Sequence, residues 1–164
     1  MIQGIVLAFA MLAVDDSAAR EVFVGMVSFV SDGDTVWVRP EAGGSPRKLR
    51  IDGIDAPEIC QAGGADSREA LASYVLNRRV EVTVRRYDEY GRGLARFVLD
   101  ERDVGAQMVS SGRAWSYRWR RSVGPYSSEE FVARQASLGL FAGHRPELPR
   151  DFRKRHGPCH SPMP

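Results

Sequence analysis

The chain has 164 residues, of which 43% are apolar and 27% are charged. This length and composition are typical of one soluble domain with a hydrophobic core, and they exclude an intrinsically disordered chain. The formal net charge of +2 does not by itself indicate a polyanionic partner. Residues 112–156, however, carry ten Arg and Lys against four Asp and Glu, an excess that would attract a phosphate backbone. The alternative is an ordinary solvated surface, and this charge run does not decide between the two.

The N-terminal residues have the pattern of an export signal. Residues 5–14 form an apolar run too short to span a bilayer comfortably, and residues 17–19 are small, as signal peptidase requires. We therefore predict a cleaved signal peptide over 1–19 and a secreted or periplasmic protein with no stable membrane association after processing. The run is not preceded by Lys or Arg, so a buried first strand or an uncleaved anchor is the alternative.

The two cysteines, Cys60 and Cys159, are compatible with that compartment. In an oxidising environment they can form a disulfide if the C-terminal segment folds back, and otherwise both are free thiols. We favour the disulfide. A zinc site formed by His156, Cys159 and His160 is not favoured, because it lacks a fourth ligand and lies in a terminus rich in Pro and Gly.

Five strands are predicted in the first two thirds of the chain. Residues 22–30 are rich in β-branched and aromatic side chains, and a turn signal then leads to a returning strand at 35–39. Alternating polar and apolar side chains predict three further strands at 47–54, 79–85 and 93–99. Five strands are compatible with a small closed β-barrel.

Three helices have recognisable start signals. Capping boxes begin at Asp66 and at Ser127, and Asp103 can cap a helix over 104–111 that Gly112 ends. The helix after Ser127 is predicted to end near Gly139. The fold class is therefore α+β.

The predicted domain covers residues 20–153 and is followed by a flexible tail over 154–164. Residues 144–164 are rich in Pro and Arg, so this end of the chain is predicted to wrap the surface or fray.

Two short carboxylates lie where metal chemistry is possible. Asp34 follows the first strand, and Asp55 ends the third. Carboxylate oxygens favour calcium or magnesium over softer metals, although a turn of this kind is more often only a hairpin cap. An EF-hand is excluded, because the twelfth position counted from Asp32 is Gly43 where that motif needs a bidentate Glu.

Three further side chains suit the cleavage of a phosphodiester. Glu58 follows Pro57, which disfavours a helical conformation at Ala56, so Glu58 leaves the strand end in a defined direction. It can act as a general base or orient a water, or be an ordinary surface glutamate. Arg50 and Arg92 offer guanidinium groups, which bind phosphate oxygens through two parallel donors.

The ordered motifs DGDT (32–35), LRIDGIDAPE (49–58), DEYGRGLA (88–95) and GRAW (112–115) resemble those of the thermonuclease (staphylococcal nuclease-like) family, in particular its exported bacterial members. The likeness extends over about residues 24–152. It implies a five-stranded oligonucleotide-binding (OB) barrel with about three packed helices. It further implies a calcium-dependent endonuclease that hydrolyses DNA and RNA, prefers single strands and leaves 3′-phosphate ends. We expect a monomer.

The resemblance also implies roles for individual residues. Asp34, Asp55 and the backbone carbonyl of Ala56 are expected to hold Ca²⁺. The catalytic group would comprise Arg50, Glu58 and Arg92, with the two arginines on phosphate. Tyr90 is expected near the bound phosphate.

Two departures weaken the expectation for base recognition. Glu89 stands where the family commonly has Lys or Arg, and the aromatic residues after Gly112 are out of register. Base stacking by Tyr117 or Trp119 is therefore a looser hypothesis, and Trp115 is expected in the core.

The alternative function is a catalytically silent OB-fold module that binds nucleic acid. The five polar residues expected to do the chemistry are retained together, and this favours the enzyme. The sequence leaves open the choice between DNA and RNA, the physiological role, periplasm against medium, and whether Glu58 is a base or a positioning group.

Overall fold

The computed structural model describes residues 21–143, 146–160 and 163–164, so the predicted signal peptide lies outside the described residues. The strands are β1 Glu21–Val30, β2 Thr35–Pro40, β3 Arg47–Ile51, β4 Ile54–Asp55, β5 Arg79–Tyr87, β6 Gly93–Leu99, β7 Arg102–Asp103 and β8 Trp115–Ser116. The helices are α1 Gly64–Val75, α2 Val104–Ser110, α3 Ser127–Gln135 and α4 Pro149–His156, with a 3₁₀ turn at Gly139–Ala142. Within the described ranges, no helix is long and apolar enough to cross a membrane.

Five strands close into a barrel of mixed direction. β1 pairs antiparallel with β2 and with β5, β2 pairs with β3, and β5 pairs with β6. The barrel closes where β3 runs parallel to β6. Register shifts in β1 between Val27 and Phe29, and in β5 between Val84 and Arg86, let these strands bend round a small barrel. The predicted five-stranded barrel with packed helices is confirmed, with four α-helices instead of about three.

The core fills the barrel and continues under two helices. Alternation along the strands buries one face of each, and the buried apolar residues of the barrel strands are Val27, Val30, Val36, Val38, Leu49, Ile51, Val80, Val82, Val84, Ala95, Phe97 and Leu99. Leu71 of α1 and Met108 of α2 belong to the same cluster. Trp115 is also buried and meets Phe141 edge-on at 6.1 Å between ring centroids, so its expected place in the core is confirmed.

The predicted third strand over 47–54 is wrong in its last residues. β3 ends at Ile51, and β4 pairs with β8 outside the barrel. Gly53 separates them with a φ of +83°, and a side chain there would meet Pro125 at 2.6 Å. A position that favours glycine in this way breaks the strand, and the break turns Asp55 back towards the barrel end.

The three predicted helices are all present, but not every boundary is correct. Asp103 caps α2 as predicted, because its carboxylate accepts a hydrogen bond from the Ala106 N–H at 3.0 Å. The other two capping boxes are wrong: α1 begins after Gly63, and Ser127 lies inside α3 instead of capping it. The third helix ends at Gln135, since Ser137 and Gly139 have positive φ angles.

The C-terminal segment contains a fourth helix that the sequence reasoning did not predict. α4 crosses the predicted boundary between domain and tail at residue 153. Beyond it, Cys159 forms a disulfide with Cys60, and the favoured pairing of the two cysteines is confirmed. The end of the chain therefore returns to the strand end that carries Asp55 and Glu58.

Candidate active site

A pocket of about 750 Å³ opens at one end of the barrel. The turn after β1, the end of β3 and the β5–β6 turn meet there, because Thr35 pairs with Arg50 and Arg50 with Leu94. Seven of the predicted site residues line the pocket: Asp34, Arg50, Ala56, Glu58, Tyr90, Arg92 and Tyr117. Asp55 is buried and reaches the same cluster through its ion pair with Arg50. Trp119 is not among the described residues that line the pocket; it is exposed, with the Arg120 guanidinium 6.0 Å from its ring centroid.

Asp34 is held rigidly in the turn after β1. Its side chain is 4% exposed, one carboxylate oxygen accepts from the Thr35 hydroxyl at 2.9 Å, and the other accepts from the Ala56 N–H at 3.2 Å. The Asp34 N–H in turn donates to Asp32 Oδ1 at 3.0 Å. Burial, reinforced by the Asp34 charge, raises the pKa of Asp32 to about 7. The fixed orientation of Asp34 therefore depends on contacts from its own turn and from the segment after β4.

Arg50 bridges the two predicted metal ligands. Its Nη2 lies 2.7 Å from Asp34 Oδ2 and 2.9 Å from Asp55 Oδ1. Burial opposes the charge of the guanidinium, but the charges of Asp34 and Asp55 outweigh it and raise the pKa of Arg50. Burial also raises the pKa of Asp55, against the neighbouring positive charge of Arg50. Two carboxylates are thus held close enough together to share one cation.

Glu58 lies in the turn after β4 and meets a residue that sequence reasoning missed. The Glu58 N–H donates to Gln61 Oε1 at 3.1 Å. Its carboxylate accepts from Arg153 Nη1 of α4 at 2.6 Å, and the same nitrogen lies 3.5 Å from Asp55 Oδ1. Arg153 therefore joins the predicted water-orienting carboxylate to a predicted metal ligand.

Arg92 is held by a contact within its own turn. Asp88 accepts from the Arg92 backbone N–H at 2.9 Å and from its Nε at 2.8 Å. Burial of the Asp88 carboxyl is outweighed by these hydrogen bonds and by the Arg92 charge, which lower its pKa. Arg92 also lies 5.3 Å from the ring centroid of Tyr90, which is 75% exposed. Asp88 is thus a second site residue to which the sequence motif had given no role.

The charges around the pocket nearly cancel. The described residues that line it include five Lys and Arg side chains and six Asp and Glu side chains, and buried Asp55 adds a further acid behind them. A phosphodiester entering this pocket would meet carboxylates as well as guanidinium groups. A further cation bound beside the acids would favour the entry of an anionic substrate.

A cation held there would have oxygen ligands. Asp34 and Asp55 contact the same Arg50 nitrogen, and carboxylates with backbone carbonyls are the ligands that Ca²⁺ prefers. Among the described residues, no group of three or more His, Cys, Asp or Glu side chains could hold a metal ion. These residues therefore fit a cation only in an open site, whose remaining ligands would be backbone, solvent and substrate oxygens, as in catalytic metal sites.

Closed barrel, packed helices and polar pocket at the barrel end together define an OB-fold protein of α+β class. The model of the family described as staphylococcal nuclease homologue matches residues 48–142, which is more than half of the chain. The chain belongs to this family.

Curated relatives agree with that assignment. The chain is 35% identical over 158 residues to Protein ParB of Escherichia coli, covering 90% of this chain and 88% of that protein. It is 29% identical over 155 residues to a Haemophilus influenzae protein named "Uncharacterized endonuclease", covering 94% and 85%. It is 32% identical over 107 residues to the rice protein "Probable staphylococcal-like nuclease CAN2", covering 65% of this chain but only 29% of that longer protein.

Proposed function

We propose that this chain is a calcium-dependent endonuclease that hydrolyses phosphodiester bonds of DNA and RNA. The observation that carries the proposal is the cluster of two buried carboxylates, Asp34 and Asp55, bridged by Arg50 with Glu58 beside them. Membership of the nuclease homologue family and the name of the Haemophilus influenzae relative support it. A binding module would need cations and aromatic surfaces, but it would not need paired buried acids at the centre of the pocket.

Asp34, Asp55 and the carbonyl of Ala56 would hold the calcium ion. When bound, Ca²⁺ supplies positive charge that polarises the phosphate and makes water easier to deprotonate. Asp34 keeps its orientation in this role because Thr35 and the Ala56 N–H hold its two oxygens.

The chain's own residues would then carry the hydrolysis. Glu58 orients a water for in-line attack and accepts its proton, while the water oxygen forms a bond to phosphorus. The bond between phosphorus and O5′ breaks, and O5′ takes a proton from solvent, which leaves a 3′-phosphate and a 5′-hydroxyl. Arg50 and Arg92 donate hydrogen bonds to the phosphate oxygens as their negative charge increases.

Single strands are the proposed substrate form. Tyr90 and Tyr117 line the pocket and are 75% and 39% exposed, so both rings can stack on an unpaired base. Stacking contributes about 1–3 kcal/mol per base where it occurs. Trp119 lies outside the pocket and would act only on a longer strand that passes beyond it.

The proposal predicts cleavage that needs both calcium and the Glu58 carboxylate. We expect the full chain to digest single-stranded DNA and RNA with Ca²⁺, to stop in chelator, and to lose about 10²–10⁴-fold in rate as Glu58→Gln. Glu69→Gln is the matched control, because Glu69 is exposed on α1 and does not line the described pocket. End-group analysis of the products would test for 3′-phosphates. Binding of single strands without turnover would instead establish the silent binding module.

Export and a monomeric state are proposals of the same kind. The disulfide between Cys60 and Cys159 supports export, because such bonds persist in oxidising compartments. N-terminal sequencing of protein recovered from outside the cytoplasm should begin near Arg20, and an intact Met1 would contradict cleavage. Light scattering of the processed chain would test the monomer.

A further inference from the structure

The turn that carries Glu58 is fastened to the C-terminal segment at three points. Cys60 forms the disulfide with Cys159, Gln61 Nε2 donates to the Glu147 carbonyl at 2.7 Å, and Glu58 accepts from Arg153 at 2.6 Å. We call residues 147–159 the C-terminal clasp. Its contacts join residues 86 to 99 positions apart in sequence. All three contacts hold the same turn, whose Glu58 lines the pocket.

Arg153 is fixed within this clasp from both sides. Before it, Leu148 packs against the cluster of Trp115 and Phe141, and this anchors the start of α4. After it, the Gly157 N–H bonds to the Arg153 carbonyl at 2.9 Å, and the disulfide follows two residues later. The Arg153 side chain is 34% exposed, and it points into the pocket that Glu58 also lines. Its position is therefore set by the backbone and not by its contact with Glu58 alone.

The contact has a specific geometry. One Arg153 nitrogen lies between Glu58 Oε1 at 2.6 Å and Asp55 Oδ1 at 3.5 Å. Two carboxylates side by side repel each other, and a guanidinium between them offsets that repulsion. A glutamate also has three rotatable side-chain bonds, so a donor on one oxygen limits the rotamers of the carboxylate and leaves the second oxygen for a water.

We propose that Arg153 is a positioning residue that holds the Glu58 carboxylate beside Asp55, in the orientation that directs the attacking water at the phosphate. This rests on the proposed function, in which Glu58 orients the attacking water. Because Arg153 acts through Glu58, it should affect the rate of cleavage only while residue 58 is a carboxylate. Such orienting contacts are commonly worth about 10- to 100-fold in activity.

A double-mutant cycle tests this role. Single-turnover rates and KM are measured with calcium and single-stranded DNA for the full chain, Arg153→Met, Arg153→Lys, Glu58→Gln and the Glu58→Gln/Arg153→Met double variant. We expect Arg153→Met to lower the cleavage rate about 10- to 100-fold with KM changed less than about threefold. Arg153→Lys, which keeps a donor and the charge, should recover part of the rate. In the Glu58→Gln background, Arg153→Met should change the rate less than about twofold.

Four outcomes would overturn the inference. Equal losses in both backgrounds would show that Arg153 acts on the substrate or only on the fold. A raised rate in Arg153→Met would show that Arg153 inhibits Glu58 by occupying its carboxylate. An unchanged rate would show that Arg153 only attaches the C-terminal segment to the domain. If Arg153→Met fails to fold, Arg153→Lys carries the test, because it keeps the charge but loses the planar guanidinium: its partial loss of rate should disappear when Glu58→Gln is also present. An unmodified chain that cuts nothing would overturn the proposed function and this inference with it, whereas a cutting chain indifferent to Arg153 would overturn the inference alone.

Discussion

The two sides of the pocket are built in different ways. Asp34 and Arg50 are placed by barrel strands, and Thr35 and Arg50 are paired neighbours in β2 and β3. Glu58 and Arg153, on the other side, are placed by a turn and by a helix that comes from 95 residues further along the chain. The barrel side is the more buried, with Asp34 and Arg50 at 4% and 18% exposure against 17% and 34% for Glu58 and Arg153.

This difference separates stability from positioning. Ion pairs buried with little solvent contribute strongly when one partner is removed, because a charge is then left in a poorly solvated place. Partly exposed pairs contribute little to stability, because either partner can turn to water. The ion pairs of Arg50 should therefore contribute more to unfolding measurements than those of Arg153, which should appear mainly in the rate of cleavage.

The largest loss of stability should come from removing the positive charge of Arg50 on the barrel side. Arg50→Met leaves Asp34 and Asp55 buried without the guanidinium that bridges them. We expect the free energy of unfolding in chelator to fall by about 3–5 kcal/mol, measured by urea denaturation near neutral pH.

Arg153→Met is the matched control for that measurement. It removes an arginine from the same carboxylate cluster, but at a more exposed position, and should cost less than about 1 kcal/mol. Equal losses in the two variants would contradict the division between the barrel side and the clasp side.

A smaller loss of stability with a selective loss of activity is expected from opening the clasp. Cys60→Ser/Cys159→Ser removes the disulfide, which should cost about 2–4 kcal/mol and release the segment that carries Arg153. The cleavage rate should fall towards that of Arg153→Met at a temperature where the variant is still folded. Adding reductant to the unmodified chain should reproduce the change.

The cysteine variant with Arg153→Met added serves as its control. If the disulfide acts on the reaction by holding Arg153, the triple variant should cut no more slowly than Arg153→Met. A further large loss would mean that the clasp positions something other than Arg153.

Much of the barrel side could be predicted because its information is local. Asp34, Arg50 and Asp55 lie in short motifs on or next to strands whose alternation is visible in the sequence, and closure of the barrel brings the turn after β1 next to the end of β3. The departure at Gly53 was a local feature too, but the alternation of 47–54 outweighed a single glycine. The positive φ of Gly53 and the close approach of Pro125 each disfavour a side chain at this position, and the contact with Pro125 comes from a distant part of the chain.

The clasp side could not be predicted from any one segment. Pro149 at the start and Gly157 at the end bracket α4, a pattern typical of a short helix, and that signal was available. The disulfide hypothesis would have brought this helix to Cys60 and so to Glu58. Which of its basic residues faces the pocket depends on packing of Leu148 against Trp115 and Phe141, which no local pattern records.

The smallest effect should come from the β5–β6 turn, where Asp88 holds Arg92 through contacts four residues apart. Asp88→Asn keeps the size of the side chain and removes its charge, so the change in unfolding free energy should be below about 1 kcal/mol. The pKa of Asp88 is lowered in the folded state. Its contribution is therefore present above the unfolded pKa of an aspartate and is lost as the pH falls through the lower, folded value.

The unmodified chain and Asp88→Asn should accordingly differ in stability near neutral pH and converge in acid, as urea denaturation at several pH values would show. Arg92 is expected to contact the phosphate in the bound substrate as well as during the reaction, so Asp88→Asn should also raise KM for single-stranded DNA by a few-fold, about 1 kcal/mol or less, with a smaller change in the single-turnover rate. Arg153→Met is expected to show the opposite pattern, with the rate lowered and KM nearly unchanged. The β5–β6 turn would then serve to bind the phosphate, and the clasp would serve to align Glu58, which orients the attacking water. If both variants changed the same parameter, this separation of roles would be wrong.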